Sequence, residues 1–218
     1  MFRQEFHRSW ALTLLLFGGF CLAPRLVSAQ TVPNPPASGA RIADFVPKGW
    51  EILMQAEGDL NRDGKPDAAL ALKNSKEESS NEEVPRLLVL LLQNPDGTYR
   101  LASKSAEAIL CRSCGGVFGD PLAELQIKSG VLIIDHYAGS RQRWSYTHRW
   151  RFQDGDWVLI GETKTSFDAI GPEAKSDDMN LLTGDRVLEI TDINGKVKVT
   201  KSKLPKQPLK KLSTFKFS

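Results

Sequence analysis

Trp150-Arg151-Phe152-Gln153-Asp154-Gly155-Asp156-Trp157-Val158-Leu159-Ile160 decides the fold class. Asp154-Gly155 separates two short runs of aromatic and aliphatic residues. The dipeptide accepts the positive φ that a tight hairpin turn requires, and the flanking runs suit a half-buried pleated surface. The same punctuation recurs on both sides. Ser129-Gly130 sits between Leu125-Gln126-Ile127 and the run Val131 to Ile134. Pro95-Asp96-Gly97 joins Leu87 to Leu92 with Tyr99-Arg100-Leu101, and Asn194-Gly195 joins Val187 to Ile193 with Val197 to Thr200. Leu87 to Leu92 is continuously apolar and reads as a strand buried on both faces. Trp50, Ile52 and Met54 alternate with Glu51, Leu53 and Gln55, and Ala68 to Leu72 is a short apolar strand. Helical periodicity is confined to a turn or two over Ala102 to Leu110. The spacing predicts a mainly β protein, antiparallel sheets built of hairpins, with little helix beyond the N-terminal leader.

That leader has the order of a secretory signal. Arg3, His7 and Arg8 precede an apolar run, Trp10 to Ala23, and Val27-Ser28-Ala29 supplies small residues before Gln30. Residues 1–29 are therefore expected to be a cleaved signal peptide, and the protein to be secreted or periplasmic. An uncleaved anchor is the competing reading, but the apolar run is shorter than the roughly 20 residues of a spanning helix. No later stretch is apolar enough to span, so no transmembrane segment is expected after cleavage. Lipidation at Cys21 is disfavoured by the bulky Phe20 before it.

After cleavage the chain keeps 26 of its 29 Lys and Arg and 25 of its 26 Asp and Glu, so its charge is nearly balanced. The balance hides an asymmetry: from Lys196 onward there are eight lysines and no acid. Residues 30–40, rich in Pro, Ser, Ala and Gly, read as a flexible lead. A single β-rich domain is expected over 41–203, with a basic tail over 204–218. Asn74 to Glu83 is polar and acidic and reads as an exposed, mobile insertion. The tail lysines suit contact with an anionic polymer or simple solvation. No motif points to nucleic acid.

The strongest chemical signal is Asp59-Leu60-Asn61-Arg62-Asp63-Gly64-Lys65-Pro66-Asp67. Side-chain oxygens fall at positions 1, 3, 5 and 9, with glycine at 6. Alternate residues let a tight loop point several oxygens inward, and the Lys65 carbonyl can add another. Three carboxylates in nine residues repel one another unless a cation offsets them. The set Asp59, Asn61, Asp63, Lys65 and Asp67 predicts a structural Ca2+ site, since calcium prefers many oxygen ligands. An acidic surface turn is the competing reading. An EF-hand is disfavoured: position 12 is Leu70, not glutamate, and Pro66 at position 8 has no N–H to give.

Gly58 to Asp67, the small apolar strand after it, Leu87 to Leu92, and Asn94-Pro95-Asp96-Gly97-Thr98-Tyr99 together resemble one unit of the FG-GAP/VCBS repeat. The resemblance covers Gly58 to Leu101 and implies a calcium-bearing, propeller-blade-like unit with the ligands just named. One unit is present, whereas a closed propeller needs several. With Gly115-Gly116-Val117-Phe118-Gly119-Asp120-Pro121 included, the chain also resembles small exported bacterial proteins of unassigned function, which implies no activity.

Cys111 and Cys114 are the only cysteines after the leader. An even count in an exported protein predicts a disulfide. The spacing also occurs in thiol oxidoreductases and, with further ligands, in metal sites. Asp135, His136, Tyr137, Arg141, Arg143 and Trp144 form a possible ligand surface around Gly139. From Trp144 onward, Trp144, Tyr146, His148, Trp150 and Phe152 share one strand face and Arg143, Arg149 and Arg151 the other. An aromatic platform for a sugar, a basic stripe for a polyanion, or a plain core face all fit this alternation. The expected function is a calcium-stabilised β-module with a non-catalytic binding or structural role at the envelope or outside the cell. The alternative is a thiol–disulfide oxidoreductase, or a hydrolase using the Asp135–Arg141 segment.

Overall fold

Asp154 and Gly155 adopt φ of 53° and 82°, and Ser129 and Gly130 adopt 54° and 75°. Two successive positive values are what a two-residue hairpin turn needs to match the twist of its strands. The chain is described by a computed structural model that covers residues 32–79 and 83–217, so residues 1–29, expected to be a signal peptide, lie outside the described residues.

Two open antiparallel sheets result. The first contains β1 (Ser38–Gly39), β2 (Trp50–Gly58), β3 (Asp67–Asn74), β4 (Leu87–Gln93) and β5 (Tyr99–Ser105), in the order β1-β5-β4-β3-β2. The second is a meander of seven strands. These are β6 (Leu122–Lys128), β7 (Val131–Gly139), β8 (Gln142–Gln153), β9 (Asp156–Asp168), β10 (Ala174–Asn180), β11 (Asp185–Thr191) and β12 (Val197–Lys203). Among the described residues, helix is limited to short 3-10 turns. The turn or two of helix expected over Ala102 to Leu110 is overridden at its start, where Ala102 to Ser105 continues β5 against β4.

The leucine run is buried on both faces as its pattern predicts. Leu88, Leu90 and Leu92 join Ala69 and Ala71 of β3 in a core shared with Leu125, Leu132, Ile134, Trp150, Trp157 and Leu159 of the second sheet. Leu87, Val89 and Leu91 point the other way, with Leu70 and Leu72, and are covered by Phe45, Ile42, Val46 and Val32. The lead is thus laid along the first sheet over its described part. Ala37 O accepts from Leu101 N–H at 2.9 Å, and Ser38–Gly39 pairs with β5.

The sheets meet closely at Gly58 and Ile127. A Cβ on Gly58 would lie 2.7 Å from Ile127 Cγ2. Gly58→Val is therefore expected to cost about 2 kcal/mol, since overpacking forces the sheets apart. Urea unfolding should show a lower midpoint with an unchanged slope; an unchanged midpoint would refute the close approach.

Two polar segments depart from expectation. In the Asn74–Glu83 insertion Glu77 is buried rather than exposed, because it meets the fully buried Arg86. The basic tail is not simply solvated either. Lys206, Lys210, Lys211 and Lys216 face solvent, but Leu212 and Phe215 enter the core. Lys210 O accepts from Leu159 N–H at 2.9 Å, and Lys211 bridges to Val158. The apolar residues between the lysines have a hydrophobic surface to cover, and burying them outweighs the cost of ordering the tail.

Candidate functional site

The Asp59–Pro66 loop joins β2 to β3 and is anchored at both ends. Leu60 is buried in the core between the sheets. Arg62 reaches the β6–β7 turn, donating from Nη2 to Ser129 O at 3.3 Å. The Asp63 N–H donates both to Asp59 Oδ1 and to Asn61 Oδ1, each at 3.0 Å, so these two oxygens face a common point. Asp59 Oδ2 accepts from Gly64 N–H at 2.8 Å. Asp63 accepts from Lys65 N–H and from Asn61 Nδ2, and pairs with Lys65 Nζ at 3.2 Å. Those contacts, the Asn61 amide first, hold the Asp63 carboxyl below its usual range.

Asp67 is placed differently. Its side chain is fully buried at the start of β3. Oδ2 accepts from the Leu60 and Asn61 N–H groups at 2.9 and 3.3 Å, and Oδ1 accepts from Gln93 N–H at 2.9 Å. Burial pushes its pKa up against the pull of these three donors. Asp67 thus ties the loop to the end of β4. The residues fit calcium in donor chemistry: Asp59, Asn61 and Asp63 present hard oxygens on one short loop, turned at Gly64 with φ 83°. Asp67 keeps a second lone pair on Oδ1, which has Gln93 N–H as its one donor, while Oδ2 spends both of its own on the Leu60 and Asn61 N–H groups.

Cys111 and Cys114 form a disulfide with Cα atoms 5.1 Å apart. Glu83 lies beside both sulfurs, but a disulfide has no thiolate to give a metal. The loop after the bridge carries Asp120, whose oxygens accept from Arg86 Nη1 and Nη2 at 2.7 and 2.6 Å. Arg86 also donates to both oxygens of Glu77, at 2.8 and 3.1 Å, and to Leu110 O at 3.2 Å. All five guanidinium N–H groups are used. Nothing in the spacing of Glu77, Arg86 and Asp120 announces this cluster.

The possible ligand surface divides, because Asp135, His136 and Tyr137 lie on a strand and not on a loop. Alternation sends His136 inward with Ile134 and Ala138, and Asp135 and Tyr137 to the opposite face. His136 and Asp135 therefore do not act as a pair. Tyr137 joins Arg143, whose Nη1 donates to the Tyr137 hydroxyl at 2.8 Å. The Arg143 guanidinium stands 4.5 Å above the Phe118 ring, and Tyr137 stacks on Phe167. Arg141 is bound to Asp168 at the β7–β8 turn. Trp144 lies on the inward face with Tyr146.

That inward face is mostly core. His148 and Trp150 are buried, and Phe215 meets the Trp150 ring edge-on at 5.0 Å. Phe217 covers Tyr146, His148 and His136 at 5.3, 5.1 and 5.2 Å. The aromatic platform is therefore largely roofed by the chain's own C-terminus. Among the described residues no helix is long and apolar enough to cross a membrane. Comparison with known proteins returned no match, whether to a family model, a curated protein or a solved structure.

Proposed function

We propose that this protein is an exported, non-catalytic β-module whose Asp59–Asp67 loop is tied by calcium. The observation that carries the reading is where the loop sits. It joins the two sheets: Leu60 enters their shared core, Arg62 grips the Ser129-Gly130 turn, and Asp67 bonds to Gln93. A cation held by Asp59, Asn61, Asp63 and the Lys65 carbonyl, with Asp67 as a further oxygen, offsets the repulsion among the carboxylates. Its role is structural, because ordering this loop orders the joint. The four strands β2 to β5 form an antiparallel meander, the strand order of a propeller blade.

A binding role at the envelope or outside the cell agrees with the basic edge. Lys196, Lys198, Lys201 and Lys203 are exposed along and beside β12, and an anionic polymer is the partner they suit. The redox alternative rests on the Cys111–Cys114 bridge alone.

The test is thermal unfolding of the mature protein in calcium, in chelator, and as Asp63→Ala. At a calcium concentration about 100 times Kd, binding to the native state adds about 2.7 kcal/mol. The melting temperature should rise by several degrees, and Asp63→Ala should abolish the rise. No shift at millimolar calcium would reduce the loop to an acidic turn.

A further inference from the structure

The chain from Leu204 to Lys210 runs beside β9 and bounds a partly open cavity of about 350 Å3. Both ends of this segment are pinned. Leu204 N–H donates to Gly184 O at 2.8 Å, and Lys210 O accepts from Leu159 N–H at 2.9 Å. Between these bonds no backbone hydrogen bond ties residues 205–209 to the sheet, among the described residues. Pro205 and Pro208 have no N–H to offer. The strap therefore stands off the sheet. The walls are mainly apolar: Leu159 below, Leu181 at the β10–β11 turn, and Leu204, Pro205, Pro208 and Leu209 above.

One carboxylate breaks this apolar lining. Glu162, on β9, lines the cavity and its side chain is 12% exposed. Its Oε1 lies 3.2 Å from His148 Nε2 and 3.2 Å from Lys164 Nζ. A carboxylate only accepts, so the His148 proton sits on Nε2. Burial alone would raise the Glu162 pKa, but the His148 and Lys164 contacts outweigh it and hold the group below its usual range. Glu162 Oε2 has no hydrogen-bond donor among the described residues. The nearby cations leave Oε2 free: Lys164 sits on Oε1 and over the Tyr146 ring, and Lys210 lies over the Phe215 ring.

We infer that this strapped cavity binds a small, largely apolar amine, whose hydrocarbon part fills the leucine and proline walls and whose ammonium donates to Glu162 Oε2. A cavity of this size with few polar groups has the character of small-ligand sites. An ionised oxygen without a donor favours a cationic donor over a neutral one. An anionic ligand is disfavoured, because it would face the same oxygen. The site lies apart from the Asp59–Asp67 loop and does not depend on calcium.

The test is a titration of the isotope-labelled mature protein with benzylamine and, separately, with benzoate, following the leucine methyl signals by NMR. Benzylamine should shift Leu159, Leu181, Leu204 and Leu209 saturably, with a dissociation constant of roughly millimolar as its few atoms allow. Benzoate should leave them in place. Glu162→Gln should weaken benzylamine about tenfold through loss of the charged hydrogen bond. Leu181→Trp, which fills the cavity and keeps Glu162, should abolish the shifts whether or not the glutamine variant folds. Equal binding of benzoate, unchanged affinity in a folded Glu162→Gln variant, or shifts that persist in Leu181→Trp would each overturn the assignment, as would no saturable shift with benzylamine.

Discussion

Replacing Arg86 with methionine is expected to cost about 3–5 kcal/mol, a large share of a domain's total stability. The guanidinium is fully buried, and its five N–H groups serve Glu77, Asp120 and the Leu110 carbonyl. Methionine fills similar space but leaves two carboxylates without their cation. The Glu77 side chain is 2% exposed, so water cannot replace the lost donors. Asp120 shows the stake: burial would raise its pKa, yet Arg86 holds it below the usual carboxylate value. A lowered folded-state pKa contributes stability above the unfolded value and loses it as pH falls through the folded one. That contribution should disappear in Arg86→Met. Urea unfolding at neutral pH reads the loss, and a parent-like midpoint would refute it. Adding Glu77→Gln and Asp120→Asn to Arg86→Met should recover much of the loss, because the penalty comes from uncompensated charge rather than from missing bulk.

Arg86 also marks where the sequence stops being readable. The six apolar residues of β4 reveal two-sided burial directly, because a strand with no solvated face needs no alternation. The positive-φ turns are equally direct. Glu77, however, belongs to a run of acids that looks solvated, and only a partner nine residues on, with another 34 beyond that, turns it into a buried ligand of Arg86. β10 was hidden for a related reason. Ala174-Lys175-Ser176-Asp177-Asp178-Met179-Asn180 lacks the β-branched pattern of a strand. It is held by pairing with β9 and β11 and by the bidentate bond of Asp177 to Arg186. In the tail the lysines dominate the composition, so the packing of Leu212, Phe215 and Phe217, which act individually, leaves no periodic signal. For the candidate loop, spacing identifies Asp59, Asn61 and Asp63 as a group. It does not reveal that Asp67 points its oxygens at three backbone N–H groups.

The tail matters for the second large effect, a loss of stability in mild acid that originates at His136. The ring is completely buried beneath Phe217. Nε2 accepts from Leu110 N–H at 3.2 Å, so the neutral ring carries its proton on Nδ1, which has no partner. Burial lowers the pKa from 6.5 to about 3, with help from the nearby His148 and Arg86 and against the pull of Asp120. Between those two values the unfolded chain binds a proton that the native ring refuses. Stability should therefore fall as pH drops from 6.5 toward 3, by about 1.4 kcal/mol per unit and on the order of 4 kcal/mol in all. The depressed carboxylates, Asp63 and Asp120 among them, respond only at the acid end of this window. His136→Gln separates the histidine from everything else that titrates. The glutamine oxygen can still accept from Leu110 N–H, but the side chain has no proton to gain. Plotted against pH from 6.5 to 4.5, the unfolding free energies of parent and variant should converge by between about 2 and 3 kcal/mol. Parallel curves would mean that His136 takes its proton without disturbing the fold. Convergence would place the acid-sensitive point of the molecule under Phe217, where charging one ring unseats the segment that closes the core.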